Sequence, residues 1–110
     1  MTNYRKGYEF EREIVKLHKK WNYPLVIRAG GSFGPIDIAA FSKDEIKLIQ
    51  AKSGRLNLSP KKKLILLALK HLLPDCCTIE IWVRQPKRKA KIFKLDSEFS
   101  AQSLAKEIDL

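Results

Sequence analysis

The chain has few of the residues that form disulfides or bind zinc in small domains: among its 110 residues it has 2 cysteines and 2 histidines. Cys76 and Cys77 are adjacent, and neighbouring residues rarely satisfy disulfide geometry with each other. His18 and His71 lie far apart in the sequence and lack the paired spacing of zinc ligands. We therefore expect reduced, structural thiols and no zinc site.

Long apolar runs are also lacking. No segment has the length and apolarity needed to cross a bilayer. Residues 1–6 lead into a charged amphipathic segment and contain no signal-peptide core. We expect an intracellular protein with no membrane partner, in the cytoplasm of a prokaryote or encoded by a virus and acting in the host cell.

Acidic residues are scarce relative to basic ones, with 12 Asp and Glu against 22 Lys and Arg, which gives a formal charge of +10. The length and the 45% apolar content fit one domain, residues 1–110, around one core. Such a charge excess favours a polyanionic partner, with nucleic acid ahead of acidic lipid. The plain alternative is that the charge serves solubility.

Apolar periodicity predicts the element order α-β-β-β-α-β-β-α and hence an α/β fold, a mixed central sheet flanked by helices. Ser59 and Pro60 mark the start of the second helix, and Pro74 marks its end. The glycine-rich stretch at 29–35 is a loop. The predicted helices cover 6–21, 60–73 and about 101–108, and the strands cover 25–28, 36–41, 46–52, 78–84 and 90–95.

The second predicted helix is apolar nearly all the way round between Leu64 and Leu73. A helix of this kind is buried on every side. We expect one side to face the sheet and the other to face a second subunit in a two-fold homodimer. The alternative is that the terminal segment of the same chain covers it.

Several polar residues stand out because they interrupt apolar strands. Alternation places Gln50 and Lys52 on one face of the third strand. Asp37 lies in an apolar run of the preceding strand, where a carboxylate without a partner is costly to bury. If the two strands pair, Asp37 converges with Gln50 and Lys52. The alternatives are an Asp37 bonded to a nearby amide and a merely solvated Lys52.

On the first helix, Glu9 and Glu13 have cations one turn away, as surface ion pairs do. Glu11 has none at positions 7, 8, 14 or 15. It flanks the apolar stripe and so requires a metal ion or a basic partner from elsewhere in the fold, and Lys52 is one such partner.

These residues resemble the motif of the PD-(D/E)XK nucleases. That superfamily places an Asp on one strand, Glu-x-Lys or Gln-x-Lys on the next and a Glu on the preceding helix; the matches here are Asp37, Gln50-Ala51-Lys52 and Glu11. The order of further motifs resembles the archaeal-type Holliday junction resolvases more closely. The shared motifs, within residues 5–54, are Lys6-Gly7 followed by Glu11-Arg12, Val26-Ile27-Arg28-Ala29, Gly31-Ser32 and Lys52-Ser53.

The resemblance implies a restriction-endonuclease-like fold and a homodimeric, metal-dependent endonuclease that cleaves four-way (Holliday) junctions by phosphodiester hydrolysis in DNA recombination and repair. It implies that Mg²⁺, with Mn²⁺ as the alternative, is held by Glu11, Asp37, the side-chain oxygen of Gln50 and the backbone carbonyl of Ala51. Lys52 would position or deprotonate the attacking water, and Ser32 would touch the scissile strand. Most of these resolvases have Glu where this chain has Gln50, and the lost charge should weaken Mg²⁺ binding.

Basic residues supply the predicted DNA contacts, which would be sequence-independent and sensitive to salt. Arg28 is the strongest candidate for gripping a phosphate near the metal, and a further basic cluster lies at 87–89. Two alternative functions remain: a related PD-(D/E)XK endonuclease acting on duplex or flapped DNA, and a non-cleaving DNA-binding protein with a degenerate site. The full set of predicted DNA-binding residues is Arg5, Lys6, Arg28, Ser32, Arg55, Lys61, Lys62 and Lys63.

Overall fold

One six-stranded sheet carries a helix on each face in the computed structural model, which describes residues 3–29, 36–53, 60–95 and 105–110. The side chains at 3–6, 53, 60–63 and 105 lie outside this description. The elements are α1 (Asn3–Lys20), β1 (Leu25–Arg28), β2 (Ile38–Phe41), β3 (Ile46–Ser53), α2 (Pro60–Leu72), β4 (Cys77–Gln85), β5 (Lys89–Lys94) and β6 (Ala105–Asp109).

The strands lie side by side in chain order, from β1 to β6. The β3–β4 pair is parallel, and α2 forms its crossover, as a parallel connection requires. All other neighbouring strands are antiparallel. The predicted mixed α/β sheet is therefore confirmed, although β2 begins at Ile38 instead of position 36.

Two apolar cores lie on opposite faces of the sheet, because neighbouring residues of a strand point to opposite sides. Phe10 and Ile14, one turn apart on α1, are fully buried as their spacing predicts. Asn22, with a φ of 67°, ends α1 in the left-handed conformation that closes many helices. The α1-side core contains Phe10, Ile14, Ile38, Ile49, Trp82, Ala90 and Ile92, and the α2-side core contains Leu66, Ile79, Ile81, Val83 and Leu95.

The predicted last helix is wrong over residues 105–108, which belong to β6 and pair with β5. Positions 101–104 of that prediction lie outside the described residues. Ile108 and Leu110 alternate with exposed polar residues and pack against the α1-side core. The free edge of β5 supplies backbone hydrogen bonds for this segment, and that tertiary partner outweighs its weak helical pattern.

Helix α2 is buried on one side within the chain. Leu66 packs into the α2-side core, whereas Leu64 is 68% exposed and Leu72 is 81% exposed. Among the residues that the structure describes, nothing covers the apolar outer side of α2. Neither helix of the described residues has the length and apolarity to span a membrane.

A buried polar cluster joins α1 to the centre of the sheet. His18 Nδ1 donates to the Ile14 carbonyl at 2.8 Å, and Lys47 Nζ donates to His18 Nε2 at 3.3 Å. Lys47 also forms an ion pair with Glu80 at 3.5 Å, and Trp82 Nε1 donates to the same Glu80 oxygen at 2.9 Å. Burial lowers the pKa of His18 to about 4, so the imidazole is neutral at pH 7 and its Nε2 accepts a hydrogen bond from Lys47.

Candidate active site

The backbone of Asp37 is fixed between two strands just before β2. Its N–H donates to the Ile49 carbonyl of β3 at 2.8 Å, and its own carbonyl accepts the N–H of Ala29 at 2.8 Å. The register that pairs Ile38 with Ile49 places Asp37 beside Gln50 and Ala51. The predicted convergence of Asp37 with the end of β3 is therefore present in the fold.

The side chains of this group are in direct contact. Asp37 Oδ2 accepts the backbone N–H of Ala51 at 2.8 Å and the Nε2 amide of Gln50 at 3.0 Å. The same Nε2 donates to the Ala51 carbonyl at 3.3 Å. The alternative in which Asp37 is merely bonded to a nearby amide requires the same hydrogen bonds. The contact by itself therefore assigns no catalytic role to Asp37.

The carbonyl oxygen of Gln50 is the unusual atom of the group. Gln50 is 5% exposed, and its Oε1 is buried and accepts no hydrogen bond within the described part of the chain. An unsatisfied buried acceptor is unfavourable by about 1–3 kcal/mol. Such an atom is suited to a ligand that binds oxygen.

The spacing of the group fits a small divalent cation. Adjacent ligands in an octahedral Mg²⁺ site, each about 2.1 Å from the metal, lie about 3.0 Å from one another. Nε2 of Gln50 lies 3.0 Å from Asp37 Oδ2 and 3.3 Å from the Ala51 carbonyl oxygen. A half-turn of the carboxamide would place Oε1 in the Nε2 position, at this spacing from each of the other two oxygens.

The described residues contain no group of three or more His, Cys, Asp or Glu side chains that could hold a metal ion. A cation at this position would therefore depend on the amide and backbone oxygens as much as on carboxylates.

Glu11 has a basic partner from elsewhere in the fold, as its surroundings on α1 predicted, but that partner is Arg28. Arg28 Nη1 contacts Glu11 Oε1 at 3.2 Å, and both side chains are partly exposed. The guanidinium of Arg28 lies over the Tyr8 ring, 4.6 Å from its centroid, and Arg12 lies 5.7 Å from the same centroid. Arg28 pairs with Ile38, the residue that follows Asp37, so the backbone of β1 brings Arg28 to the start of β2.

Lys52 lies on β3 opposite Val83 of β4, on the same face of the strand as Gln50, and it is half-buried. Ser32 and Arg55 lie outside the described residues. The predicted DNA contacts Arg5, Lys6, Lys61, Lys62 and Lys63 lie in α1 and α2, and their side chains lie outside the described part of the structure. The catalytic, metal and DNA roles of all these residues stay predictions.

Sequence reasoning missed Tyr8 and Arg84. Tyr8 precedes Arg12 by one helical turn, and this spacing could have predicted an aromatic–cation pair on α1. Arg84, at the end of β4, lies 4.0 Å from the Glu13 carboxylate. No local pattern reveals that contact, because β4 and α1 meet only in the folded chain.

No protein-family model matches this chain, and no curated protein sequence matches it. Among solved structures, it is similar to the 1.6 Å structure of Archaeoglobus fulgidus Hjc, a Holliday junction resolvase from an archaeal hyperthermophile. The two chains are 19% identical with a TM-score of 0.64, and the match covers 94% of this chain and 84% of that one. At this identity the similarity establishes the fold, since unrelated functions share folds. The chain therefore has the mixed α/β fold of that resolvase.

Proposed function

We propose that this chain is a metal-dependent DNA endonuclease that cleaves four-way (Holliday) junctions by phosphodiester hydrolysis. The observation that carries the proposal is the contact of Asp37, Gln50 and Ala51, with a buried unsatisfied oxygen, at the end of β3 in a resolvase-like fold. The formal charge of +10 supports a polyanionic substrate.

The oxygens of Asp37, Gln50 and Ala51 would hold Mg²⁺ or Mn²⁺, and the Glu11 carboxylate would complete the set. A bound divalent cation lowers the pKa of water and offsets phosphate charge. The N–H of Ala51 fixes the orientation of Asp37, at 2.8 Å, whether or not a cation is present. Lys52, on the same face as Gln50, would hold the attacking water or stabilise the charge on the phosphate.

Arg28 would bind the phosphate next to the scissile one. A guanidinium carries five N–H donors in a planar fork, so the contact with Glu11 leaves donors for a phosphate. The Tyr8 ring holds the guanidinium plane from one side. Since Glu11 is also a predicted metal ligand, Arg28 links the phosphate contact to the metal site.

A homodimer would supply the two active sites that symmetric cleavage of a junction requires. The outer side of α2 supports it, with Leu64 68% exposed, Ile65 38% exposed and Leu72 81% exposed. Leu72→Lys should convert the dimer to a monomer in light scattering at micromolar concentration. A strictly monomeric mass for the unmodified chain would contradict the dimer.

Cleavage of matched substrates tests the function. End-labelled four-way junction, flap and duplex DNA are incubated with the protein in Mg²⁺, in Mn²⁺ and in EDTA. Paired symmetric nicks on the junction, in metal alone, are expected. Cutting of flap or duplex DNA in preference to the junction would instead identify a related nuclease.

A non-cleaving DNA-binding protein is the second candidate. It is favoured by Gln50, which carries no charge, and by Asp37, whose Oδ2 already accepts two hydrogen bonds. Tight junction binding without cutting in Mg²⁺ or Mn²⁺ would establish this candidate and exclude the nuclease.

A further inference from the structure

The turn between β4 and β5 has an unusual backbone for its sequence. Gln85 pairs with Lys89, so Pro86, Lys87 and Arg88 form the loop. Lys87 has a φ of 62° and Arg88 a φ of 56°, both in the left-handed region. Side chains other than Gly, Asn and Asp rarely adopt this region, and hairpins that need it twice in a row usually use Asn-Gly. Two cations thus occupy positions where turn geometry favours Gly, Asn or Asp.

Residues of β6 and the residue that follows it bond to this turn. The N–H of Leu110 donates to the Arg88 carbonyl at 2.7 Å, and Lys89 forms an ion pair with Glu107 of β6 at 3.6 Å. The side chains of Lys87 and Arg88 are both exposed. The fold therefore presents two cations on a fixed loop tip.

The candidate active site lies beside the middle of β4, and the turn follows the end of that strand. Strands β3 and β4 are parallel, with Gln50 opposite Ile81 and Ser53 opposite Arg84, so both run from the site towards the turn. Gln85 is four residues beyond Ile81, which corresponds to about 13 Å along the strand. The basic turn therefore begins about 13 Å from the level of the Asp37–Gln50 contact, in the direction in which β3 runs.

The basic surface continues from the turn onto α1. A cleft of about 210 Å³ is lined by three cations, one acid and two apolar side chains: Lys16, Lys20, Arg88, Glu13, Leu17 and Leu110. Glu13 is also within 4.0 Å of Arg84, which offsets its charge. A polyanion that reaches the turn would therefore meet further positive charge.

We propose that the Lys87–Arg88 turn binds the sugar-phosphate backbone of a DNA arm that extends from the active site. Base pairs rise 3.4 Å along the duplex, so a distance of about 13 Å corresponds to about four base pairs from the cleaved phosphate. The inference rests on the proposed action on DNA. It adds a contact that fixes the direction in which the arm leaves the site.

The backbone conformation supplies a sharp test, because turn stability and DNA binding call for different residues. The double variant Lys87→Asn, Arg88→Gly places the favoured turn residues at these positions and removes two charges. It should unfold at the same temperature as the unmodified chain or a higher one. The matched control, Lys43→Asn with Lys94→Gln, also removes two exposed cations. These two lie near the opposite ends of the strands, away from the turn.

Binding of a fluorescent four-way junction is measured by anisotropy in EDTA between 50 and 200 mM salt. Each lost phosphate contact reduces the slope of log affinity against log salt by about 0.9, so the turn variant should lose about 1.8. The affinity loss across this salt range should then be about 12-fold smaller than for the unmodified chain. The control should lose less than half as much slope as the turn variant.

Equal slopes for the turn variant and the control would overturn the proposal, as would a turn variant that binds like the unmodified chain. This failure is distinct from failure of the nuclease function. Junction binding that is lost in the turn variant, in a protein that never cuts, supports the turn contact and removes the nuclease. Cleavage by the unmodified chain with an unaffected turn variant does the reverse.

Discussion

Replacing Gln50 with glutamate should couple the stability of the protein to Mg²⁺ more strongly. In the metal-free protein the change puts a second carboxylate where Nε2 now lies, 3.0 Å from Asp37 Oδ2. Two unit charges at this distance repel by about 1.4 kcal/mol even at the dielectric constant of water, and more where they are buried. The lost hydrogen bond adds about 1 kcal/mol. We therefore expect Gln50→Glu to be destabilised by about 2 kcal/mol or more in EDTA.

Mg²⁺ should reverse this loss, because the new carboxylate at position 50 becomes a charged ligand. A cation at 100 times its Kd stabilises the folded state by about 2.7 kcal/mol. Thermal unfolding of the unmodified chain and the variant is followed at pH 7 in EDTA and across a titration of MgCl₂. The variant should show a larger rise in Tm, with its midpoint at a lower Mg²⁺ concentration.

Gln85→Glu is the matched control, since it makes the same chemical change in a half-buried residue at the end of β4. Its Mg²⁺ response should equal that of the unmodified chain. Metal coupling through position 50 is excluded if Gln50→Glu is as stable as the unmodified chain in EDTA, or if Mg²⁺ raises the Tm of both proteins equally.

Further predictions concern the buried His18, the contact of Arg28 with the Tyr8 ring and the last strand, β6. The depressed pKa of His18, about 4 against 6.5, means that the folded state binds fewer protons than the unfolded state between these values. The protein should therefore lose about 2 kcal/mol of stability in urea unfolding as the pH falls from 7 to 4.5, and His18→Gln should flatten this loss; an unchanged pH dependence would exclude His18 as its source. Tyr8→Leu removes the ring face beneath Arg28 and should weaken junction binding about 2- to 5-fold without lowering Tm, whereas unchanged binding would make Tyr8 dispensable. Ile108→Ala should destabilise the protein by about 2 kcal/mol because Ile108 packs against the α1-side core, while the exposed Lys106→Ala should change little; equal effects would argue against β6 packing.

Sequence patterns predicted the elements whose signals are local. Phe10 and Ile14 mark the buried side of α1 by their spacing alone. The convergence of Asp37 with Gln50 also followed from local information, because the short turn at Ser42 makes β2 and β3 antiparallel neighbours. Once two strands are joined by a tight turn, their register is nearly fixed.

Other features depend on partners that the sequence does not reveal. The Glu11–Arg28 pair joins residues 17 positions apart and requires the packing of α1 on β1. Lys47 is charged and yet only 8% exposed, because α1 covers this face of the sheet and brings His18 into contact with it. Strand β6 exists because β5 offers it an edge, and a short segment with mixed periodicity does not indicate which partner it will meet.

The central claim is that the oxygens of Asp37, Gln50 and Ala51 hold a divalent cation that is needed to cut branched DNA. Asp37→Asn tests it most directly, because an asparagine oxygen can still accept the Ala51 N–H, now 2.8 Å from Oδ2, while the ligand charge is lost. Cleavage of an end-labelled four-way junction in Mg²⁺ is measured alongside junction binding in EDTA. We expect the variant to bind as tightly as the unmodified chain and to make no nicks. Nicking by Asp37→Asn at the rate of the unmodified chain would contradict it.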